Sequence, residues 1–325
     1  MSARLRGIAR ETEEAVAAGA YRTPDGREIP LAAEVEAARE GTRMVGPGPV
    51  PVPETAREAV RGIVRQPVSE TARETVAGIL RRPVSETARE RVSETSWQAI
   101  PDLASAEPRI EVTGESSLEA ARRLADAPVA VLNFASARNP GGGYLNGAQA
   151  QEEALCRGSA LYTCLLRAPE FYDHHRAHRD PFYTDRVIHS PAVPVFRDDR
   201  GRFLSEPYTA GFLTAAAPNA GVVLRTAPER ASELPRALAV RAERVLETAA
   251  AHGYRRLVLG AWGCGVFRND PAQVADAFRT LLGPGGRFER TFAHVVFGVL
   301  DRTPGSTVRE AFAQAFLEPR HQNRV

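Results

Sequence analysis

From about residue 97 to the end of the chain, short apolar runs alternate with amphipathic segments. Apolar runs bounded by glycine or polar residues predict strands, and apolar residues recurring every three to four positions predict helices. The predicted strands are 109–112, 129–135, 186–196, 211–217, 255–261 and 292–300. The predicted helices are 116–126, 151–167, 232–252, 271–282 and 307–317. This alternation indicates an α/β fold with helices on both faces of a sheet.

The first 45 residues have a different pattern. Apolar positions at helical spacing predict a helix over 4–19, and a second short helix is predicted over 31–40. The sequence Thr-Pro-Asp-Gly at 23–26 predicts a turn between them. We therefore expect residues 1–45 to be a helical segment that packs on the main domain.

Residues 46–96 contain an internal repeat with a period of 16 residues, whose copies begin at Pro51, Pro67 and Pro83. Each copy carries Thr-Ala-Arg-Glu, a capping-box pattern for a helix start, and the prolines predict where each helix ends. Helices shorter than about 12 residues are marginal alone. We expect them either to dock on other parts of the protein or to remain partly disordered. The main domain is then predicted over 97–325.

Composition excludes several classes of protein. The net charge of the 325-residue chain is +2, which disfavours a strongly electrostatic nucleic-acid binder. Three cysteines, Cys156, Cys164 and Cys264, form no CxxC pair and indicate reduced thiols. The N-terminus lacks the apolar run of a signal peptide, and no segment is long enough to span a membrane. The expected location is the cytoplasm.

The first candidate site follows the buried strand predicted at 129–135. A glycine-rich turn, Asn139 to Gly143, is followed after seven residues by Gln151, Glu152 and Glu153. Three consecutive glycines lose chain entropy on folding and contribute no packing, so they indicate positive φ angles or close approach of a ligand. Two carboxylates beside such a turn favour a phosphate or polyol ligand next to an acid.

A second glycine-rich turn, Gly260 to Phe267, also lies between a predicted strand and a helix. Two such turns on neighbouring strands would form a cleft that binds a diphosphate through backbone N–H groups. The chain contains neither the GxxxxGK[ST] nor the GxGxxG pattern, which disfavours a P-loop and a nicotinamide site. Within this turn we expect Trp262 to be a core residue and Cys264 to be a small residue in a tight turn.

A pair of histidines four residues apart, His174 and His178, could bind a metal ion on a helix. The surrounding residues are rich in Pro and Asp, and no third ligand lies nearby in the sequence. We therefore expect an exposed loop here, and we expect neither a metal nor a cofactor.

The sequence NPGGG, seven residues and QEE resembles the GGG-X(6–8)-QEE signature of poly(ADP-ribose) glycohydrolases. The segments VLNFASARNPGGG and LVLGAWGCGVF are similar to the small microbial branch of that family, which is bacterial. The resemblance covers about residues 97–317, and ARETEEAVAAGAY near the N-terminus is similar too. It implies a macro-domain-like three-layer sandwich with a mixed central sheet, plus an N-terminal helical extension, and it implies ADP-ribose binding.

The resemblance also implies a role for individual residues. Glu153 matches the catalytic glutamate, and Glu152 matches the acid that orients the distal ribose. The residues implied to bind ADP-ribose are Asn139, Gly141, Gly142, Gly143, Gln151, Gly263, Cys264, Gly265, Val266 and Phe267.

Hydrolysis of a ribosyl bond needs an acid for the departing oxygen and space for an oxocarbenium-like centre. If Glu152 and Glu153 both line the cleft, their repulsion raises one of the two pKa values. Adjacent helical residues point in different directions, so only one of them need be the acid.

Three hypotheses follow for function. The first is a glycohydrolase that cuts the ribose–ribose bond of poly(ADP-ribose) from chain ends and releases ADP-ribose. The second is a hydrolase of single ADP-ribose groups on protein or nucleic acid, and the third is a non-catalytic ADP-ribose-binding protein. The intact QEE favours an enzyme. The expected partners are ADP-ribose and its polymer on modified proteins, with nucleic acid only as an ADP-ribosylated substrate and no membrane.

Overall fold

The computed structural model of the protein describes residues 2–50 and 108–317. The 16-residue repeats lie outside the described residues. The strands are β1 (Ala20–Arg22), β2 (Glu28–Pro30), β3 (Arg43–Val45), β4 (Arg109–Thr113), β5 (Val129–Phe134), β6 (Val187–Arg197), β7 (Phe203–Ala215), β8 (Arg256–Leu259) and β9 (His294–Gly298). The α-helices are α1 (Ala3–Ala18), α2 (Ala32–Gly41), α3 (Ser117–Arg123), α4 (Gln151–Gly158), α5 (Leu161–Leu165), α6 (Pro169–Ala177), α7 (Ala220–Thr226), α8 (Leu234–Ala251), α9 (Pro271–Leu282) and α10 (Thr307–Leu317).

Seven of these strands form one mixed sheet in the order β3-β6-β7-β5-β8-β9-β4. The strands from β7 to β4 are parallel, whereas β6 runs antiparallel to β7 and β3 antiparallel to β6. Strand β5 lies at the centre, where Val131 is in register with Phe212 on one side and Val258 on the other. The predicted α/β fold with a mixed central sheet is confirmed.

Both faces of the sheet are covered, which gives three layers. Val129 and Val131 of β5 belong to the apolar core on one face, and Ala130 and Leu132 belong to the core on the other. Such side chains alternate across a strand, so a strand that is apolar at every position must be buried on both faces. The first core includes residues of α1 to α6, and the second includes residues of α8, α9 and α10.

Helix α1 packs beside the first glycine-rich turn. It begins where the Ser2 side chain accepts a hydrogen bond from Leu5 N, and it ends at Gly19 in the left-handed conformation (φ 69°). The hydroxyl of Tyr144, which directly follows the turn, donates to Glu13 of α1 at 2.9 Å. The N-terminal helix therefore supports the loop that carries the candidate site. The proposed boundaries at residues 45 and 96 remain a prediction.

The predicted helix 151–167 was wrong in its extent, because the chain forms two helices with a break at Ser159. Ser159 adopts an extended conformation and pairs with Val195 in an isolated β-bridge. Its hydroxyl donates to Leu155 O at 2.7 Å, which satisfies one of the last carbonyls of α4. The break depends on a partner strand that is distant in the sequence.

The loop expected around His174 and His178 was also wrong, since residues 169–177 form α6. Pro169 occupies the first turn, where its missing N–H costs nothing, and Phe171 and His175 are buried on one face. Pro191 and Pro194, which are expected to interrupt the strand predicted over 186–196, do not end β6. Its pairing with β7 shifts register between Ser190 and Val193 and then continues.

Candidate active site

The first glycine-rich turn bends the chain sharply after β5. Gly141 and Gly142 have φ angles of 65° and 59°, a region that L-residues rarely adopt. The turn is closed by backbone hydrogen bonds from Gly142 N to Asn139 O (2.9 Å) and from Tyr144 N to Gly141 O (3.0 Å). The positive φ angles expected from the sequence are therefore present, and they explain why two of these glycines are needed.

Glu153, in the first turn of α4, points its carboxylate at this turn. Its Oε1 accepts a hydrogen bond from Gly143 N at 2.9 Å, and the residue is only 8% exposed. A Cβ on Gly142 would lie 2.5 Å from the same Oε1, so only glycine leaves space for the carboxylate. In the described part of the chain, Oε2 of Glu153 makes no hydrogen bond and is available to a ligand.

Glu152 is held differently, in the interior beside β5. It is 2% exposed, and its carboxylate accepts hydrogen bonds from Ser136 N (2.7 Å) and Asn133 Nδ2 (3.3 Å). Burial raises the pKa of Glu152 to about 8, and the neighbouring Glu153 charge acts in the same direction. Burial is thus the main cause of the raised pKa of Glu152, whereas repulsion between the two carboxylates was the cause expected from the sequence.

Gln151 joins α4 to the central strand. Pairing of β5 with β8 ends at Val131, and the Gln151 amide then binds the next groups of β5. Its Nε2 donates to Leu132 O at 2.8 Å, and its Oε1 accepts from Phe134 N at 2.9 Å. The side chain thus acts as a short substitute for a neighbouring strand and fixes the start of α4. Its predicted contact with a ligand stays a prediction.

The second glycine-rich turn follows β8, the strand next to β5. Gly263 has φ 72°, and a Cβ there would lie 2.5 Å from Asn269 Nδ2, so the turn is closed by a buried Asn beneath it. Asn269 Nδ2 donates to Pro218 O at 2.8 Å, while Trp262 is buried and donates to Ala215 O at 3.0 Å. Trp262 is therefore a core residue, as predicted.

The remaining residues of this turn face outward to different degrees. Val266 is 80% exposed at its tip, and the Phe267 ring lies 5.8 Å from that of Tyr183. Burial raises the pKa of the Cys264 thiol to about 12, so the thiol stays protonated at neutral pH and is a poor nucleophile. This agrees with its predicted role as a small residue in a tight turn.

A cavity of about 870 Å³ runs along the carboxyl ends of β5, β8 and β9. Ligands of open α/β sheets bind at this edge. Gln151 and Ala154, on either side of the carboxylate pair, line it, and so does the whole second turn from Gly263 to Phe267. Within the described residues, Asn139, Gly141 to Gly143 and the two carboxylates are not part of the cavity wall. Glu152 is linked to the wall near Ala135, because the N–H of the next residue, Ser136, donates to its carboxylate at 2.7 Å.

Sequence reasoning missed several polar groups of this region. Asn133, a polar residue inside the apolar run of β5, is fully buried and connects Glu152 to Thr214. Its position in that run was a signal that could have been used. Asp199 and Asp301 also line the cavity, and burial raises the pKa of Asp199. Nothing local in the sequence places either aspartate in the wall of this cavity.

Comparisons with known proteins point to one enzyme family. The family model for the microbial-type PARG catalytic domain matches residues 9–198. The chain belongs to the microbial-type poly(ADP-ribose) glycohydrolase family. This family membership makes the protein a glycosidase. A search among curated proteins finds no match.

Solved glycohydrolase structures are similar over most of the chain. The poly(ADP-ribose) glycohydrolase of Thermomonospora curvata is 45% identical with a TM-score of 0.76, covering 97% of this chain and 100% of that one. A structure of the same enzyme with the inhibitor ADP-HPD is 44% identical, with a TM-score of 0.75 over 97% of this chain and 100% of that one. The Deinococcus radiodurans glycohydrolase in complex with ADP-ribose is 40% identical, with a TM-score of 0.67 over 88% and 98%.

The described residues were also compared with the requirements of a metal site and of a membrane-spanning helix. Among residues 2–50 and 108–317, no three His, Cys, Asp or Glu side chains come together as a metal site. Over the same ranges, no helix is both long enough and apolar enough to cross a membrane.

Proposed function

We propose that the protein hydrolyses the O-glycosidic ribose–ribose bond of poly(ADP-ribose) from chain ends and releases ADP-ribose, with Glu153 as the general acid and base. The observation that carries this proposal is the position of the Glu153 carboxylate. One oxygen is fixed by Gly143 N, and the other is free of hydrogen bonds within the described part of the chain.

ADP-ribose is proposed to occupy the cavity, with its diphosphate against the second turn. The N–H groups of Gly263, Gly265 and Val266 make no hydrogen bond among the described residues, whereas that of Cys264 donates to Ala261 O at 3.1 Å. Neighbouring backbone N–H groups in such a turn suit a diphosphate. The first turn, Gly141 to Gly143, and Asn139 would then contact the distal ribose and the diphosphate from the other side. Phe267, at the rim of the cavity, would pack against the distal ribose.

In the proposed reaction Glu153 donates a proton through its free oxygen to the departing ribose oxygen as the glycosidic bond breaks. The ribosyl centre then has oxocarbenium character. A water molecule attacks this centre, and the Glu153 carboxylate takes a proton from that water. The buried Glu152 would form hydrogen bonds with the ribose hydroxyls. Asn133 Nδ2 and Ser136 N donate to its carboxylate and hold that carboxylate in place.

The test is a comparison of wild type with Glu153→Gln. Glutamine keeps an oxygen for Gly143 N but cannot transfer the proton, so kcat should fall by about 10³, within the range found for general acid–base groups. ADP-ribose affinity measured by calorimetry should change little. Labelled polymer and a protein carrying single ADP-ribose groups are both offered as substrates.

Release of ADP-ribose from the polymer by wild type alone supports the proposal, and monomer as the first product supports cleavage from chain ends. Turnover of the mono-modified protein alone would favour a mono-ADP-ribosyl hydrolase. If both proteins bind ADP-ribose and neither releases any, the protein is a non-catalytic reader.

The proposed substrates are ADP-ribosylated proteins, and nucleic acid only where it carries ADP-ribose. The three cysteines are free in the structure, which suits the cytoplasm as the proposed compartment. Cell fractionation would test this location.

A further inference from the structure

A basic surface lies just outside the first glycine-rich turn. We call it the basic rim, and it consists of Arg138, Arg176, Arg179 and Arg186. Arg138 lies one residue before Asn139, and the other three lie in α6 and in the loop between α6 and β6. Arg138, Arg176 and Arg179 are exposed, and Arg186 is half-buried.

Contacts with both glycine-rich turns fix the position of the rim. Arg176 Nη1 donates to Arg138 O at 2.6 Å, which ties α6 to the loop that ends in Gly141 to Gly143. In the loop after α6, Tyr183 places its ring 5.8 Å from that of Phe267. The segment that carries the rim therefore adjoins the first glycine-rich turn through Arg138 and the second through Phe267. None of its four residues lines the cavity.

Three acidic residues in this region are paired with other groups, whereas the exposed Glu170 at the start of α6 forms no ion pair among the described residues. Asp180 forms an ion pair with Arg230 (3.4 Å), and Asp185 forms one with the buried Arg241 (3.0 Å). Asp173 pairs with Arg176 of the rim itself (2.6 Å). In the part of the chain that the structure describes, Arg138, Arg179 and Arg186 form no ion pair. Their charges are free to act on an anion from outside.

The reacting bond fixes the direction in which a polymer would leave the site. If the released ADP-ribose fills the cavity, the carboxylate of Glu153 marks the bond that breaks. The unit that keeps the departing oxygen then extends outward from Glu153. Arg138 is the charged residue of the loop that ends in the first glycine-rich turn, and the rim continues from it through Arg176 to the loop after α6.

We propose that the basic rim, through Arg138, Arg179 and Arg186, binds the diphosphate of the ADP-ribose unit on the leaving side of the cleaved bond. This inference rests on the proposed function, and it adds a second anion subsite outside the cavity. Arginine suits the role because its guanidinium group binds phosphate oxygens in pairs. Arg176 is a positioning residue that holds the Arg138 backbone.

Two substrates with the same ribose–ribose bond test the subsite. The first is a dimer of ADP-ribose. The second carries ADP-ribose on the 2′-hydroxyl of adenosine, so its leaving side has no diphosphate. The variant is Arg138→Gln combined with Arg179→Gln, since both side chains are exposed and their loss should leave the fold intact.

The matched control is Arg255→Gln combined with Arg290→Gln. These arginines are exposed and precede β8 and β9, at the opposite end of the parallel strands from the site. Like the rim variant, this control variant removes two positive charges, but it leaves the residues of the basic rim unchanged.

We expect kcat/KM of the rim variant to fall roughly five- to tenfold on the dimer, as for the loss of two exposed ionic contacts. On the adenosine substrate it should fall less than about twofold, and its salt dependence on the dimer should be weaker than that of wild type. The control should match wild type on both substrates.

Equal losses on both substrates, or no loss on either, would overturn the subsite while leaving the proposed function intact. A loss in the control as large as that in the rim variant would also overturn it, because only net charge would then matter. If wild type cleaves neither substrate, the proposed function fails and the subsite fails with it.

Discussion

The carboxylate of Glu153 and the backbone N–H of Gly143 are joined by a 2.9 Å hydrogen bond across ten residues of chain. The bond joins the glycine-rich turn to the start of α4, so movement of the turn would displace the Glu153 carboxylate. Gln151 secures the other side of this unit by binding the backbone of β5. The carboxylate proposed as the acid is thus held from two directions, which would preorganise it for proton transfer.

Substitution of Gly142 by Ala should disable the enzyme more than it destabilises it. The new Cβ would lie 2.5 Å from Glu153 Oε1, and φ of 59° is unfavourable for alanine by roughly 1–2 kcal/mol. Displacing the carboxylate by about 1 Å is expected to lower kcat about 100-fold. Steady-state kinetics and thermal unfolding measure the two effects.

Gly7→Ala provides the control for that variant. Gly7 lies within α1, and a Cβ there meets no atom within 4 Å. Alanine should stabilise the helix by up to about 1 kcal/mol and leave kcat unchanged. Full activity in Gly142→Ala would show that the turn tolerates a side chain and does not control the position of Glu153.

The sequence was informative where the chemistry is local. Gly142 and Gly263 could be identified because a positive φ and a close contact select glycine whatever the rest of the fold does. The apolar run of β5 predicted burial on both faces for the same reason, since alternation across a strand is a property of the backbone. The central strand and both turns were therefore predictable.

Features set by distant contacts were not predictable. The break at Ser159 depends on Val195, and the environment of Glu152 depends on Asn133 and Ser136 N. Helix α6 was not predicted because most of its residues are polar and only a narrow face of the helix is buried. That face includes Phe171 and His175, four residues apart, which is helical spacing.

Replacement of Glu152 by Gln should change how stability depends on pH. The pKa of Glu152 is about 8 in the folded protein and about 4.5 when unfolded, so the folded state binds the proton more tightly. Wild type therefore loses stability from this group as pH rises from 4.5 to 8, by roughly 3 kcal/mol at pH 7. The glutamine variant lacks this loss, so its stability relative to wild type should increase over that range.

Urea unfolding of both proteins at pH 5, 6.5 and 8 measures the difference. Glutamine can still accept from Ser136 N, and the Asn133 amide can rotate to suit it, so the fold should persist. A stability difference that is the same at all three pH values would show that Glu152 is ionised in the folded protein.

His189 should make the protein sensitive to acid. Burial lowers its pKa to about 3, and His252, whose ring lies 3.7 Å away, acts in the same direction. The pKa of His189 is about 6.5 in the unfolded state, so the unfolded state binds the proton more tightly than the folded state does. The free energy of unfolding therefore falls as the pH decreases from 6.5 towards 3, by roughly 3 kcal/mol at pH 4. His189→Gln can keep the hydrogen bond to the Tyr254 hydroxyl (3.0 Å) without the titration.

Unfolding free energies at pH 7.5, 5.5 and 4.5 test this expectation. The variant should lose less stability than wild type between the first and last of these values. Parallel decreases in the two proteins would mean that other groups cause the acid sensitivity.

Removal of the repeats, residues 51–96, should leave turnover intact. The segment that contains them connects β3 and β4, the two edge strands of the seven-stranded sheet. Six strand spacings amount to roughly 29 Å. The residues that remain, 46–50 and 97–108, can span roughly 55 Å when extended. The shortened chain can therefore still connect the two edges, and no described residue of the site is removed.

A second deletion variant, with a Gly/Ser linker of about ten residues in place of 51–96, guards against a connection that is too short. Both variants should release ADP-ribose from polymer at a rate within about twofold of wild type, because every described residue of the site is retained. Unfolding curves establish whether the fold is intact. Loss of activity in a folded linker variant would show that the repeats contribute to the cleft, and the division of the chain at residues 46 and 96 would then be wrong.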